Sequence, residues 1–466
     1  MLTRFARPDA PPTVVIGLAV AALLVSGPAT AQEAAGSEGT GTAEESAEAD
    51  AATAETPPPA VALPLPALLQ RAVDGSPMVF AAEARIDAAR TVGDQVSAYP
   101  VPTVGVTAMG FPGDEMNGYG ELWYTASQMF PLGDARDRRA EAAQAGADEA
   151  VADRATLQLD LVLQIRLAWV ELARSLADVL VVDDQTDTMS RMSRIANNAY
   201  AAGVGMGSQA DTLRARAEIP MMEDERRMAE AMATSARAMI AAMAALVSSE
   251  TPADPPAIDI EEYEAPALPT LEELLAGAVE RRPEFAALEA RADAAESMGL
   301  VAAEERLPDL MLEGGVQQRL GGDMPPVAFM VGVSITLPWA SPDQFDAMEA
   351  EARAMGRMIR ADGDGLRFAI ESDLRQQLAR YEQLAGSLEL VRKTIRNLRQ
   401  AENAAVAAYT AGNGDFDAIL NLESRLLESR RALVRSIYEI QAVRARIDRI
   451  IALPIDEQIE AAEGWS

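Results

Sequence analysis

Residues 83–89 read EARIDAA, and residues 289–295 read EARADAA. Further pairs keep nearly the same separation: Leu68-Leu69 with Leu274-Leu275, Ala72-Val73 with Ala278-Val279, Pro77 with Pro283, Tyr99-Pro100 with Leu307-Pro308, Phe130-Pro131 with Leu337-Pro338, and Tyr200-Ala201-Ala202-Gly203 with Tyr409-Thr410-Ala411-Gly412. The separation stays between 206 residues (Glu83 to Glu289) and 209 residues (Tyr200 to Tyr409). A register that persists across several kinds of element indicates a tandem duplication of one structural unit.

Each copy is predicted to begin with a helix and to continue with two short strands. Strict alternation of side chains predicts the strands, and prolines mark the junctions between helix and strand. The expected helices are 77–98 and 283–306, and the expected strands are 103–109, 121–129, 310–320 and 327–337. Gly-rich loops separate the two strands of each copy.

Very long helices are predicted next, over 136–202 and 343–411, each about 100 Å long at 1.5 Å per residue. Their apolar residues follow the 3-4 spacing of a coiled-coil seam. The seam residues are Ile165, Trp169, Leu172, Leu176 and Val179 in the first helix, and Tyr381, Leu384, Leu388, Val391, Ile395 and Leu398 in the second. A Gly-rich turn ends each long helix, and returning helices are expected over 209–247 and 416–453.

The segments outside the two copies have their own signatures. Residues 1–31 read as a cleaved signal peptide, with two arginines, a short apolar run and an Ala-x-Ala site. Residues 32–60 are acidic and poor in large apolar side chains, as in a disordered linker. We therefore expect repeat 1 over 61–255, a linker over 256–270, repeat 2 over 271–455 and a C-terminal tail over 456–466.

Composition argues against several functional classes. The 466 residues include no His and no Cys, which removes the usual catalytic triads, thiol nucleophiles and most zinc sites. A formal net charge of −32 disfavours nucleic acid as a partner. No paired-carboxylate motif, phosphate loop or nucleophile elbow is apparent, so we expect no enzyme, no cofactor and no metal centre.

The ordered set of motifs, occurring twice, resembles the TolC-type outer-membrane efflux channel family over about residues 61–455. The motifs are the Leu-Leu-x-x-Ala-Val…Pro entry helix, the Phe130-Pro131-Leu132-Gly133 corner between strand and helix, and the Tyr-x-x-Gly turn. The resemblance implies a mainly α fold with a β-barrel part: long coiled-coil hairpins plus four strands per protomer, forming a trimeric 12-stranded barrel and an α-helical tunnel. Independently, four strands are too few to close a membrane barrel, and open sheet edges cannot lie in lipid.

The resemblance also implies a function and its sites. It implies the outer-membrane component of a tripartite efflux system, with a periplasmic adaptor and an inner-membrane pump of the RND type as partners. The adaptor-contacting tip turns would contain Gly203, Gly205, Gly207, Gly412 and Gly414, and the aperture candidates are Asp211, Asp415 and Asp417. Each aspartate follows a turn, so capping of the returning helix is the alternative interpretation. No cysteine follows the signal peptide, so no N-terminal lipid anchor is expected.

The exported substrate is expected to be metal ions or small toxic molecules. The residues from Met109-Gly110-Phe111-Pro112 through Phe130-Pro131-Leu132-Gly133 resemble the heavy-metal branch more than the drug branch. Met221, Met228, Met232, Met239 and Met243 follow one returning helix. Thioethers suit Cu(I) or Ag(I), but this spacing favours packing at core positions. The competing hypothesis for the whole chain is an envelope-spanning coiled-coil scaffold or adhesion protein without transport.

Overall fold

The computed structural model describes residues 61–110, 120–201, 208–320 and 327–463. The predicted signal peptide, the linker up to residue 60 and the turn at 203–207 lie outside these residues. The elements are β1 (Val61–Leu63), α1 (Leu65–Gly75), α2 (Pro77–Ser97), β2 (Thr103–Met109), β3 (Gly120–Pro131), α3 (Ala135–Ala201), α4 (Gln209–Met243), β4 (Glu250–Pro252), α5 (Leu271–Arg281), α6 (Pro283–Glu304), β5 (Asp309–Leu320), β6 (Val327–Ile335), α7 (Pro342–Thr410), α8 (Phe416–Ile450) and α9 (Ile455–Glu463). No helix among these residues is long and apolar enough to cross a membrane.

The predicted order of helices and strands is confirmed in both copies. The short helices α1 and α5 precede the predicted ones, and a proline separates each pair. Pro77 and Pro283 open α2 and α6, while the residue before each stays extended, as the ring of a proline requires. The entry motif Leu-Leu-x-x-Ala-Val therefore lies on a helix of its own.

The returning helices end earlier than predicted. α4 ends at Met243 and α8 at Ile450, because Ala245 and Ala452 adopt left-handed backbone conformations with φ of 49° and 48°. Each of these ends is closed by the paired hydrogen bonds of a Schellman motif. Leu246 donates to the Ala241 carbonyl and Leu453 to the Asp448 carbonyl, both at 2.9 Å. Alanine gives little sequence signal for such an end, because glycine is the usual residue there.

The four strands of the two copies form one antiparallel sheet in the order β2-β3-β5-β6. The copies join through β3 and β5, whose register extends from Gly120 opposite Leu320 to Pro131 opposite Asp309. At the end of that register, the backbone N–H of Asp134 donates to Glu304 Oε2 at 3.1 Å. The strand register thus places the beginning of α3 beside the end of α6. A separate parallel pair, β1 with β4, brings residue 61 to residue 250.

Each copy has its own apolar core around its long helix. In the first, α1 buries Leu65, Leu68 and Leu69 against the α3 residues Ile165 and Trp169. In the second, α5 and α8 pack on the α7 residues Tyr381, Leu384, Leu388 and Ile395. The predicted seam residues are all buried or half-buried. Most of the segment assigned to the C-terminal tail forms α9, and Ala462 is buried in the first core.

A buried ionic network joins the two copies. Arg449 on α8 contacts Asp160 of α3 at 2.5 Å and Glu284 of α6 at 2.9 Å. Burial would raise the pKa of Glu284, but hydrogen bonding from Arg282 and the charge of Arg449 lower it to about 2. Arg166 on α3, also buried, contacts Asp448 at 2.8 Å. The two guanidinium groups are buried, whereas Asp448 and Glu284 are about a fifth exposed and Asp160 is 46% exposed, so it is the buried arginines that depend most on their partners.

We predict that Arg449→Leu lowers the free energy of unfolding by about 2 kcal/mol, because Asp160 loses its hydrogen bond from the buried guanidinium and Glu284 keeps only Arg282 as a cationic partner. Arg446→Leu on the same helix is the matched control, since Arg446 pairs with Glu439 at a more exposed position. The control should lose less than about 1 kcal/mol. Denaturant titration of both variants measures the difference, and equal losses would contradict the assignment.

Candidate functional site: the sheet faces and the helix ends

One face of the four-stranded sheet is apolar and uncovered. Phe329 is 83% and Val331 87% exposed, and their neighbours across the strands belong to the same face. Along the strands this face presents Val104, Val106, Ala108, Leu122, Tyr124, Ala126, Gln128, Phe130, Leu310, Leu312, Gly314, Val316, Gln318, Val327, Phe329, Val331, Val333 and Ile335. No soluble sheet would leave so continuous an apolar face to water.

The opposite face of the sheet is polar. Glu121 and Arg319 pair across β3 and β5 at 3.4 Å. The Trp123 indole N–H donates to Glu121 Oε2 at 3.2 Å, and Gln317 lies opposite Trp123. Alternation of apolar and polar residues with a period of two is the pattern of a strand between lipid and a watery interior.

Two edges of the sheet are open. Among the described residues, β2 pairs only with β3, and β6 pairs only with β5. The outer backbone N–H and C=O groups of these edge strands therefore have no strand partner in the part of the chain that the structure describes. Such groups are costly in a medium without water, so an edge of this kind in lipid needs a further strand to pair with.

The turn between α7 and α8 depends on two glycines. Gly412 has a φ of 78°, its N–H bonds the Tyr409 carbonyl at 3.0 Å, and the Asn413 N–H bonds the Ala408 carbonyl at 3.0 Å. This is a Schellman end with glycine at its usual position. A Cβ at Gly414 would lie 2.4 Å from the Tyr409 nitrogen. The predicted tip residues Gly203, Gly205 and Gly207 lie outside the described residues.

Asp211 is buried in the first turn of α4, and Ser208 is the N-cap of that helix. Asp211 forms a capping box with Ser208, in which each side chain accepts from the other residue's backbone N–H, at 3.0 and 3.2 Å. The Tyr409 hydroxyl donates to Asp211 Oδ2 at 3.2 Å. Burial first, and then the carboxylate of Asp211, raise the pKa of Tyr409 to about 12. Asp211 thereby ties the first hairpin to the end of α7.

Asp415 and Asp417 differ from each other in role. Asp415 is the N-cap of α8 and accepts from the Asp417 N–H at 3.1 Å. The exposed Asp417 carboxylate accepts from Arg214 of α4 at 2.8 Å. The capping interpretation is thus correct for Asp415. Asp211 belongs to a capping box whose N-cap is Ser208, and Asp417 joins the two hairpins. Sequence analysis missed Tyr409 and Arg214 as partners, although Tyr409 marks the repeat and Arg214 lies one turn after Asp211.

Four of the five methionines in the α4 series do not pack in the core of the chain, whereas Met243 is half-buried against the first core. Met228 and Met232 are 53% and 50% exposed, and Met221 and Met239 are exposed as well. The buried face of α4 contains Met222, Ala229, Ala233, Ala236 and Ile240 instead. The prediction that this spacing reflects packing is therefore wrong within one chain for the four exposed methionines and correct for Met243. Successive helical residues are about 100° apart, so the methionine series lies one residue out of phase with the core.

α7 also leaves large apolar side chains exposed. They are Met355, Met358, Phe368 and Leu390. In the described residues, no group of three or more His, Cys, Asp or Glu is arranged to hold a metal ion.

Comparison with known proteins gives a consistent result. Residues 68–245 match the family described as "Outer membrane efflux protein". The chain has 22% identity to the outer-membrane channel OprN, with a TM-score of 0.65 over 83% of this chain and 89% of that chain. VceC from Vibrio cholerae has 19% identity and a TM-score of 0.64, over 83% of this chain and 95% of that one.

CusC has 13% identity and a TM-score of 0.66, over 84% of this chain and 92% of that chain. The resemblance to the TolC-type family is confirmed. A search of curated protein sequences finds no significant match. The matched segment begins in α1 and ends just after α4, so it lies within the first copy. The fold class is likewise confirmed: long helical hairpins with four strands per protomer.

We predict that Gly414→Ala destabilises the turn by about 1–3 kcal/mol, because the added methyl group must displace backbone atoms. Gly386→Ala is the matched control, since a Cβ there meets nothing within 4 Å in the interior of α7. The control should gain about 0.5–1 kcal/mol from helix propensity. Thermal unfolding of the two variants reports opposite shifts, and a stable Gly414→Ala protein would count against a tight turn.

Proposed function

We propose that this protein is the outer-membrane channel component of a tripartite, RND-type efflux system, a passive export duct for metal ions or small toxic molecules. The observation that carries the proposal is the sheet, which has one apolar and one polar face and two open edges. Long helical hairpins continue directly from its strands. The apolar face is suited to lipid and the polar face to a water-filled passage.

The unpaired surfaces of one chain support an oligomer, and the resemblance to the TolC-type family implies that it is a homotrimer. Three copies of four strands make a closed barrel of twelve, in which no edge remains open. The exposed apolar faces of α4 and α7 fit the same assembly, with α4 of one copy packing against α7 of the next. The methionines of α4 then fill an interface between copies, where their flexible side chains adapt well.

The helix ends near Gly412 are proposed as the periplasmic tips that contact the adaptor, with the pump beyond it in the inner membrane. Asp415, Asp417 and Arg214 are exposed there, so they are charged groups available at an aperture. Asp415 also caps α8, while Asp211 is buried in the first turn of α4. The signal peptide is proposed to direct export, and the helices are proposed to lie in the periplasm.

The scaffold or adhesion alternative does not account for the sheet. A coiled-coil scaffold needs the helical hairpins, but it has no use for an apolar sheet face with a polar reverse side. The absence of His and Cys from the whole sequence favours a duct over an enzyme.

We predict that the purified protein conducts ions in planar lipid bilayers. Val331→Arg should abolish insertion, because a charged residue on the lipid side costs about 2–4 kcal/mol near the bilayer centre. Ser334→Arg, on the polar face of the same strand, is the control and should insert and conduct. Absence of conductance in the unmodified protein would favour the scaffold, and equal insertion of both variants would reverse the assignment of the faces.

We also predict that Met228→Glu combined with Met232→Glu prevents trimer formation, because two charges would be buried between copies. Thr234→Glu is the control, since Thr234 is exposed on a different side of α4. Cross-linking or mass measurement in detergent distinguishes trimers from monomers. Intact trimers of the double variant would show that α4 does not face another copy.

A further inference from the structure

Glu423 is a carboxylate buried at the junction of three helices. It lies on α8, about 10 Å from the beginning of that helix at 1.5 Å per residue, and its exposed fraction is 1%. Gln185 of α3 donates from Nε2 to Glu423 Oε2 at 2.8 Å. A buried carboxylate held by one neutral amide has little compensation for the water that it has lost.

The two carboxylate oxygens of Glu423 differ, because only Oε2 accepts a hydrogen bond from Gln185. Oε1 is buried and receives no hydrogen bond from any group of the described residues while the carboxylates are ionised. Glu402 of α7 lies within hydrogen-bonding reach of the Glu423 carboxyl. Two ionised carboxylates are both acceptors, so only a proton can make a hydrogen bond between them. Burial first, and then the hydrogen bond to Glu402, raise the pKa of Glu423 to about 7.

The other charged and polar groups around Glu423 and Glu402 do little to counter the rise in the pKa of Glu423. From α3, Arg191 acts to lower the pKa of Glu423, but its side chain is exposed and donates to Thr188 at 2.6 Å. Asp184, also on α3, is already paired with Arg430 of α8. From α4, Ile219 and Met222 contribute apolar side chains to the neighbouring core cluster, in which α8 buries Phe416 and Ile419.

The pair formed by Glu423 and Glu402 is not repeated in the first copy. α4 and α8 are each 35 residues long, and the residue of α4 equivalent to Glu423 is Arg216, which is exposed. The shared fold therefore does not need a carboxylate at this level. Burial of the Glu423 carboxylate costs free energy, so a role other than maintaining the fold has to explain its presence.

We propose that Glu423 and Glu402 share one proton and make the contact of α7 and α8 with α3 sensitive to pH. When the proton is present, the two carboxyls hydrogen-bond and the three helices stay together. When the proton leaves to water, two negative charges face each other and the contact loosens near the helix ends. Glu423 and Glu402 belong to the same chain, so this pH dependence does not rest on the proposed transport function.

The direction of the effect follows from proton linkage. Between the ordinary carboxyl pKa of 4.5 and the raised value of about 7, the folded chain keeps a proton that the unfolded chain has lost. Stability therefore falls as pH rises through this window and levels off above it. Other carboxylates also titrate below this range, so the informative quantity is the difference between a variant and the unmodified protein.

The test compares thermal midpoints at pH 5 and pH 8 for the unmodified protein, Glu423→Gln and Glu428→Gln. Glutamine reproduces the protonated carboxyl, so Glu423→Gln should raise the midpoint at pH 8 and change it little at pH 5. Glu428 is exposed on the same helix, and the thermal midpoint of Glu428→Gln should equal that of the unmodified protein at both pH values. A Glu423→Gln protein with an unchanged pH dependence would overturn the proposal.

A second variant covers the case in which Glu423→Gln fails to fold. Glu402→Gln places an amide donor opposite Glu423, so its pH transition should move to lower pH. Hydrogen exchange of amides near Gln185 and Glu423 gives an independent measurement. In the unmodified protein their protection should fall between pH 6 and pH 8, after correction for intrinsic rates. An unmoved transition in Glu402→Gln would exclude Glu402 as the partner.

Discussion

Backbone hydrogen bonding between β3 and β5 is the interaction on which the rest of the structure depends. It joins the two copies along one continuous register, from Gly120 opposite Leu320 to Pro131 opposite Asp309. Because each strand leads almost directly into or out of a helix, the register also sets where those helices meet. α3 begins beside the end of α6, and the Asp134–Glu304 bond closes the corner. A slip of one residue would exchange the two faces of the sheet.

The same register determines which apolar surfaces are buried within one chain and which stay uncovered. The helical cores are complete within one chain, with Ile165, Trp169, Tyr381 and Leu384 buried. The sheet leaves an apolar face and two open edges, while α4 and α7 leave apolar rows uncovered. These unsatisfied surfaces belong to lipid and to further copies in the proposed assembly, which explains how one chain can be well packed and yet incomplete.

The predictions that failed did so for local physical reasons. The returning helices were expected to be longer because Ala245 and Ala452 carry no sequence signal for a left-handed end. The exposed α4 methionines were assigned to a core because a spacing of seven and four identifies a face but not what covers it. For Asp415 the capping interpretation was correct, and Asp211 takes part in a capping box, since these are local interactions between neighbours in sequence. Their role at an aperture stays a prediction.

The sequence by itself determined the duplication, the order of helices and strands, and the two-sided character of the sheet. These features depend on composition and on periodicities of 2 and 3.6 residues, which are local properties of the chain. Only the tertiary structure decided which side chains meet across the two copies. Tyr409 reaches Asp211 over 198 residues of sequence, and Gln185 reaches Glu423 over 238. Such pairs depend on the rotational phase of packed helices, and no local spacing encodes that phase.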